Sequence, residues 1–240
     1  MLHKFSLLRS SNLIAQMRLR GATRMTVLIL GLSMSIGASA AFASVDQEGK
    51  ATSTQNIDGS TVDITPSSFN ASSGQCVIYS LILFDSSTSK QVETGLAVCN
   101  GPTIDGTCTS GHSFSERYDG SAYYCAQGSA FAVGSPTNAL IERTSGTTSV
   151  WGATGGSYIS QSGFGATDMI PALAWAEASG GVACPTSPHS VSFANWKKFL
   201  NASGWSYVSS ANPYSSTKQF PTSPCWTVGS LSASGGFNAS

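Results

Sequence analysis

Charge is scarce in this 240-residue chain: only 10% of its residues are Asp, Glu, Lys or Arg. Basic residues are thinly spread beyond residue 43, so the chain offers no electrostatic footprint for DNA or RNA. No Cys-x-x-Cys pair occurs, and only His112 and His189 could assist the cysteines, which argues against zinc; no metal is expected. A Gly-x-Ser-x-Gly elbow, a phosphate-binding Gly-x-x-x-x-Gly-Lys and a dinucleotide fingerprint are all missing. Serine-hydrolase and cofactor chemistry therefore lack support, and no cofactor is expected. No segment carries the 3.6-residue apolar period of an amphipathic helix; Asn195–Leu200 is the one short helical turn expected.

The N-terminal stretch has Lys4, Arg9, Arg18, Arg20 and Arg24 and no acid, followed by the apolar run Thr26–Ile36 and the small residues Gly37–Ser44. That order is a basic n-region, an h-region and an Ala-x-Ala cleavage site, read here as a signal peptide over 1–43 cut after Ala43. The apolar run falls short of the ~20 residues of a spanning helix, so no stable membrane anchor is expected. Cleavage removes five of the twelve basic residues and none of the twelve acids, leaving 7 against 12 and a net charge of −5. The expected location is outside the cytoplasm: secreted, periplasmic or at the cell surface. All six cysteines, Cys76, Cys99, Cys108, Cys125, Cys184 and Cys225, follow the cleavage site, and in an exported chain they read as up to three disulfides. Fifteen pairings are open to six cysteines; a local Cys99–Cys108 bridge around a turn-rich segment is the favoured one.

Residues 44–74 are rich in Ser, Thr, Gln, Asn and Asp and read as a flexible lead-in, with an edge strand at its end as the alternative; 209–240 read as a Ser/Gly/Pro-rich tail tethered near Cys225. Between them, in 75–208, short β-type runs alternate with turn residues at the spacing of a single antiparallel β-sandwich. The runs are Gln75–Phe84, Lys90–Cys99, Ser113–Tyr118, Ala122–Cys125, Asn138–Arg143, Ser149–Ala153, Ser157–Gln161, Ile170–Ala178 and Val191–Phe199. In Lys90–Cys99, alternation sets Val92, Thr94, Leu96 and Val98 on a core face, and Gln91, Glu93, Gly95 and Ala97 on a face suited to a ligand.

With twelve acids in all, a carboxylate inside a strand is a costly placement. Glu93 (in Glu-Thr-Gly), Glu116 (before Arg117 and Tyr118) and Glu177 (in Trp175-Ala-Glu) stand out, with Glu142 a fourth at an expected edge. Two inward carboxyl groups on facing strands could serve as acid and base across a cleft. The order of these segments, from Glu-Thr-Gly through Ser-Glu-Arg-Tyr to Ala-Leu-Ala-Trp-Ala-Glu177 and Phe193-Ala-Asn-Trp, resembles that of the glutamic peptidases (eqolisins) and the wider concanavalin-like sandwich proteins. The resemblance covers roughly Cys76 to Trp196. It implies a concanavalin-like jelly roll in which a Gln and a Glu activate water against a peptide bond. Glu177 matches the family's Glu, whereas Glu93 stands at the Gln position, with Gln91 two residues earlier on the same face.

The resemblance thus implies a hydrolase with Glu177, Glu93 and Gln91 as catalytic residues, and Trp175, Glu116 and Tyr118 flanking the substrate. An extracellular polypeptide or glycan is the expected partner, and the expected state is a monomer. The alternatives are a non-catalytic glycan- or peptide-binding protein on the same fold, or a glycosidase using two carboxyl groups.

Overall fold

The computed structural model describes residues 46–49, 57–71, 73, 75–85, 87–100, 108–165, 173–179, 189–201, 203–209, 217–220 and 229–239. Residues 46–49, 75, 173–179, 189 and 217–220 are described by backbone alone. The expected signal peptide lies outside the described residues. The described elements are all strands: β1 (Asp46–Gly49), β2 (Gly59–Phe69), β3 (Gln75–Asp85), β4 (Lys90–Asn100), β5 (His112–Tyr118), β6 (Tyr123–Ala130), β7 (Thr137–Arg143), β8 (Val150–Thr154), β9 (Ser157–Gln161), β10 (Leu173–Ser179), β11 (His189–Leu200), β12 (Gly204–Tyr207), β13 (Thr217–Phe220) and β14 (Phe237–Ala239).

They form an antiparallel β-sandwich. One sheet has the order β10-β3-β4-β5-β6; the other runs β12-β11-β2-β7-β8-β9 with β14 added on β11; β1 and β13 pair as a two-stranded ribbon. The apolar core lies between the two large sheets. Val62 and Ile64 of β2, Val77, Tyr79, Leu81 and Leu83 of β3, and Val92 and Leu96 of β4 are all fully buried. Burial pushes the Tyr79 phenol up, and its hydroxyl donates to the carbonyl of Ser68.

Toward β5, β8 and β9 the interior turns polar without leaving hydroxyls unmatched. Thr94 bonds Thr154 and Ser115, Ser115 bonds Ser157 at 2.7 Å, and Ser113 donates to the carbonyl of Gly155 at 3.1 Å. Buried hydroxyls are tolerated only when paired in this way. The hairpin between β3 and β4 is closed by Asp85, fully buried, whose carboxylate accepts from the backbone N–H of Ser87 at 2.8 Å and of Gly165 at 2.9 Å.

Several expectations are corrected. Within the segment read as a flexible lead-in, Gly59–Phe69 forms β2, which lies between β11 and β7 inside the larger sheet. Its apolar residues are few, but Val62, Ile64 and Phe69 all fall on the buried face, so a Ser/Thr-rich composition did not preclude a core strand. Within the expected C-terminal tail, β14 pairs with β11 and buries Phe237 against Phe193, ring centroids 4.6 Å apart. Glu142 is not at an edge: β7 runs between β2 and β8.

Asn195–Leu200 is strand rather than a helical turn. Phe193 and Trp196 are both buried although three residues apart, a spacing that suggests helix. A β-bulge between Ala194 and Lys197, with Asn195 at φ 53°, supplies the extra residue that turns both inward. The Trp196 indole N–H then donates to Ser60 Oγ at 3.0 Å.

The cysteine pairing also differs. Cys99 bonds Cys76, directly opposite it in the β3–β4 register, and Cys108 bonds Cys125 of β6. Register outweighs sequence proximity here, because Cys76 and Cys99 are cross-strand partners on one face with Cα atoms 4.0 Å apart. Cys184 and Cys225 lie outside the described residues. Both bridges are of the kind that form in an oxidising compartment.

Candidate functional site

The register of the smaller sheet decides which candidate residues share a face. Along β4, Thr94 reaches the second sheet while Gln91, Glu93, Gly95, Ala97 and Cys99 occupy the opposite, outer face. Their partners on β5 are Tyr118 opposite Gln91, Glu116 opposite Glu93 and Phe114 opposite Gly95. On β3 the same face holds Ile78, Ser80, Ile82 and Phe84, and across from these β10 places Glu177 at Ile78 and Trp175 at Ser80. All six proposed site residues therefore occupy outer-face positions of one sheet.

Within that face the structure brings together Gln91, Glu93 and Glu116. Glu93 is fully buried; Ser80 Oγ donates to its Oε1 at 2.6 Å and Gln91 Nε2 donates to its Oε2 at 3.0 Å. Glu116, 2% exposed, stands directly across the strand pair. Cβ atoms of such partners are about 5 Å apart. Ser80 is the member that sequence reasoning missed. Its signal was the β3–β4 pairing, which a single-strand pattern does not carry.

The three residues of the Glu-Thr-Gly segment have three separate tasks. Glu93 enters the outer polar cluster, and Thr94 donates to the Phe114 carbonyl and joins the two sheets. At Gly95 a Cβ would lie 2.6 Å from Ser80 Cα and 2.7 Å from Ser80 Cβ, so glycine is what lets β3 and β4 approach this closely beside the cluster.

Glu177 is placed differently. Its position is two strands from β4 and four residues along from the row of Glu93. With strands ~4.8 Å apart and ~3.3 Å per residue, the two Cα atoms are about 16 Å apart. The side chains of Glu177 and Trp175 lie outside the described residues. Tyr118 packs on Tyr123, centroids 4.6 Å apart, and its hydroxyl donates to the carbonyl of Gly120. Arg117, on β5, donates to Gln161 Oε1 and lies over the Tyr124 ring, and Arg143, on β7 of the other sheet, pairs with Asp58 at 3.6 Å. No group of three or more His, Cys, Asp or Glu able to hold a metal ion occurs among the described residues.

An all-β, disulfide-bearing antiparallel sandwich with a buried carboxyl and carboxamide cluster on one outer face defines the class of this protein. Its fold is that of the glutamic peptidases. The chain is similar to Scytalido-glutamic peptidase, solved with a peptide-based transition-state analogue, with a TM-score of 0.51 and 14% identity over 83% of this chain and 98% of that one. A second similar structure is SCP-B, a member of the Eqolisin family of peptidases, solved with the tripeptide Ala-Ile-His, with a TM-score of 0.49 and 14% identity at the same coverage. No protein-family model matches the chain, and no curated protein matches it in sequence.

Proposed function

We propose that this chain is an exported hydrolase of glutamic-peptidase type, acting on extracellular polypeptide, with its chemistry on the outer face of the five-stranded sheet. The observation that carries the reading is the Gln91–Glu93 hydrogen bond on that face, a carboxamide held against a carboxylate within a fold shared with a glutamic peptidase. A carboxylate can take the proton of a water attacking a peptide carbonyl and return it to the leaving amine. A carboxamide offers a second N–H to the developing oxyanion and a carbonyl oxygen to orient the water. Glu177, matched to the family's Glu by the resemblance, stands about 16 Å from Glu93 by Cα, so in this reading the Gln91–Glu93 pair carries the chemistry and Glu177 does not share its water. Glu116 stands as a second carboxyl group beside Glu93.

One observation favours a non-catalytic protein on the same fold: Glu93 is fully buried and both its oxygens accept hydrogen bonds, as a structural carboxylate would. Incubating the purified exported form with a denatured protein from pH 2 to 7 separates the two readings. Cleavage products are followed by mass spectrometry, with Glu177→Gln and Glu93→Gln variants in parallel. The hydrolase reading expects cleavage by the natural protein and its loss in Glu93→Gln. Absence of cleavage by the natural protein across the whole range leaves the non-catalytic reading.

A further inference from the structure

The larger sheet has an outer face of its own, remote in the fold from the Glu93 cluster, and its composition is unlike a bare solvent surface. The bulge in β11 sends Trp196 inward and Lys197 and Phe199 outward. Beside them on β12, Trp205 is 41% and Tyr207 43% exposed. Trp205 packs on Phe199 with ring centroids 5.1 Å apart and planes tilted by 42°, and Lys197 Nζ lies 5.1 Å from the Tyr207 ring centroid. At the other side of the same face Trp151 of β8 stacks on Tyr158 of β9 at 6.0 Å, and Tyr158 is 60% exposed.

The pairing aligns these residues in rows across the sheet. One row runs Trp205, Phe199, Gly59, Glu142, Trp151, Ser160; the next runs Tyr207, Lys197, Thr61, Leu140, Ala153, Tyr158. Four strand steps of ~4.8 Å set Trp205 and Trp151 about 19 Å apart. Between the aromatic rims lie Glu142, Thr61 and Leu140, and in the next row along the strands Asp63 accepts from Asn138 Nδ2 at 2.8 Å and from Asn195 Nδ2 at 2.9 Å, while Asn138 also donates to Thr61 Oγ1.

We propose that this face binds a neutral polysaccharide laid across the strands, at a site independent of the hydrolase reading. Sugar rings present C–H faces that aromatic side chains stack on and hydroxyl edges that carboxylates and carboxamides bind, which matches aromatic rims flanking Glu142 and Thr61 with an Asp/Asn row alongside. A protein partner calls for the reverse arrangement, an aromatic centre inside a polar rim. Charge makes the same choice. Asp63 and Glu142 on this face outnumber Lys197, whose ammonium is turned onto Tyr207, so an anionic polymer is repelled and a neutral one is not.

The test is retention of the purified full exported chain on microcrystalline cellulose, chitin and an insoluble β-1,3-glucan, with casein beads as the protein control. Retention on at least one glycan, changed less than two-fold by 1 M salt, is expected. A Trp205→Ala/Tyr158→Ala variant with an unchanged melting temperature loses at least five-fold of it. Trp205→Phe keeps most of it, and Glu177→Gln keeps all of it. If the double variant is poorly folded, Tyr207→Ala takes its place. No retention on any glycan, equal retention of the folded alanine variants, or retention that collapses with salt overturns the proposal. Preference for casein through the same residues identifies a protein-binding face instead and overturns it as well.

Discussion

Replacing Glu93 by leucine removes the acceptor around which the outer-face cluster is built while keeping the side-chain volume similar. Ser80 and Gln91, 0% and 2% exposed, then lose the oxygens to which they donate at 2.6 and 3.0 Å. A buried donor left without an acceptor costs about 1–3 kcal/mol. Two such losses give about 2–6 kcal/mol. Relief of the carboxyl pair with Glu116 returns about 0.2–1 kcal/mol, and rotation of the Ser80 hydroxyl recovers some of the rest. The expected net loss for Glu93→Leu is about 2–4 kcal/mol.

Glu93→Gln is expected to cost about 1 kcal/mol or less, because its carbonyl oxygen still accepts from Gln91 and its amide donates to a rotated Ser80 hydroxyl. The assay is urea unfolding at neutral pH with disulfides intact, checked for two-state behaviour by two probes. For a folded body of this size the leucine variant should melt roughly 5–15 °C lower. A leucine variant within 0.5 kcal/mol of the natural protein, or a glutamine variant as damaged as the leucine one, would refute this account of the cluster.

Three further outcomes follow from other parts of the fold. Exchanging Cys108 and Cys125 for serine opens a bridge of sequence separation 17. The lost constraint on the unfolded chain costs about 3 kcal/mol, read as a fall of roughly 6–12 °C in melting temperature. Peptide mapping without reduction should recover Cys76 with Cys99 and Cys108 with Cys125.

Asp119 closes the turn between β5 and β6, where the backbone N–H of Ala122, then the hydroxyl and N–H of Ser121, lower its carboxyl from 3.8 to about 2. A folded value below the unfolded one gives stability that is full above about pH 4 and lost as the pH falls toward 2. Asp119→Ala should accordingly be less stable by about 1 kcal/mol at pH 6 from the lost turn hydrogen bonds, with the difference closing by pH 2. A difference that persists undiminished at pH 2 would contradict this.

Local patterning in this chain was enough to determine the all-β class and the approximate limits of β3 to β11, but not the strands in the segments read as lead-in and tail. Period-2 alternation and turn residues survive in any context, and Ser157–Gln161 came out with its ends unchanged. Alternation also assigned the two faces of β4 correctly, since Val92 and Leu96 are core and Glu93 faces away from the second sheet. Within the candidate site the sequence picked out Gln91, Glu93 and Glu116 as members of a scarce polar set, and their shared face followed from the β4–β5 pairing.

What tertiary structure alone decided was every feature set by register between strands distant in sequence. The Cys76–Cys99 bridge, the donation from Ser80, the inward turn of Trp196 at a bulge and the recruitment of Gly59–Phe69 into the larger sheet all depend on which residues stand opposite one another. A strand's own pattern specifies only which side each residue takes. Its partners are chosen by burial and hydrogen bonding summed over the whole sandwich.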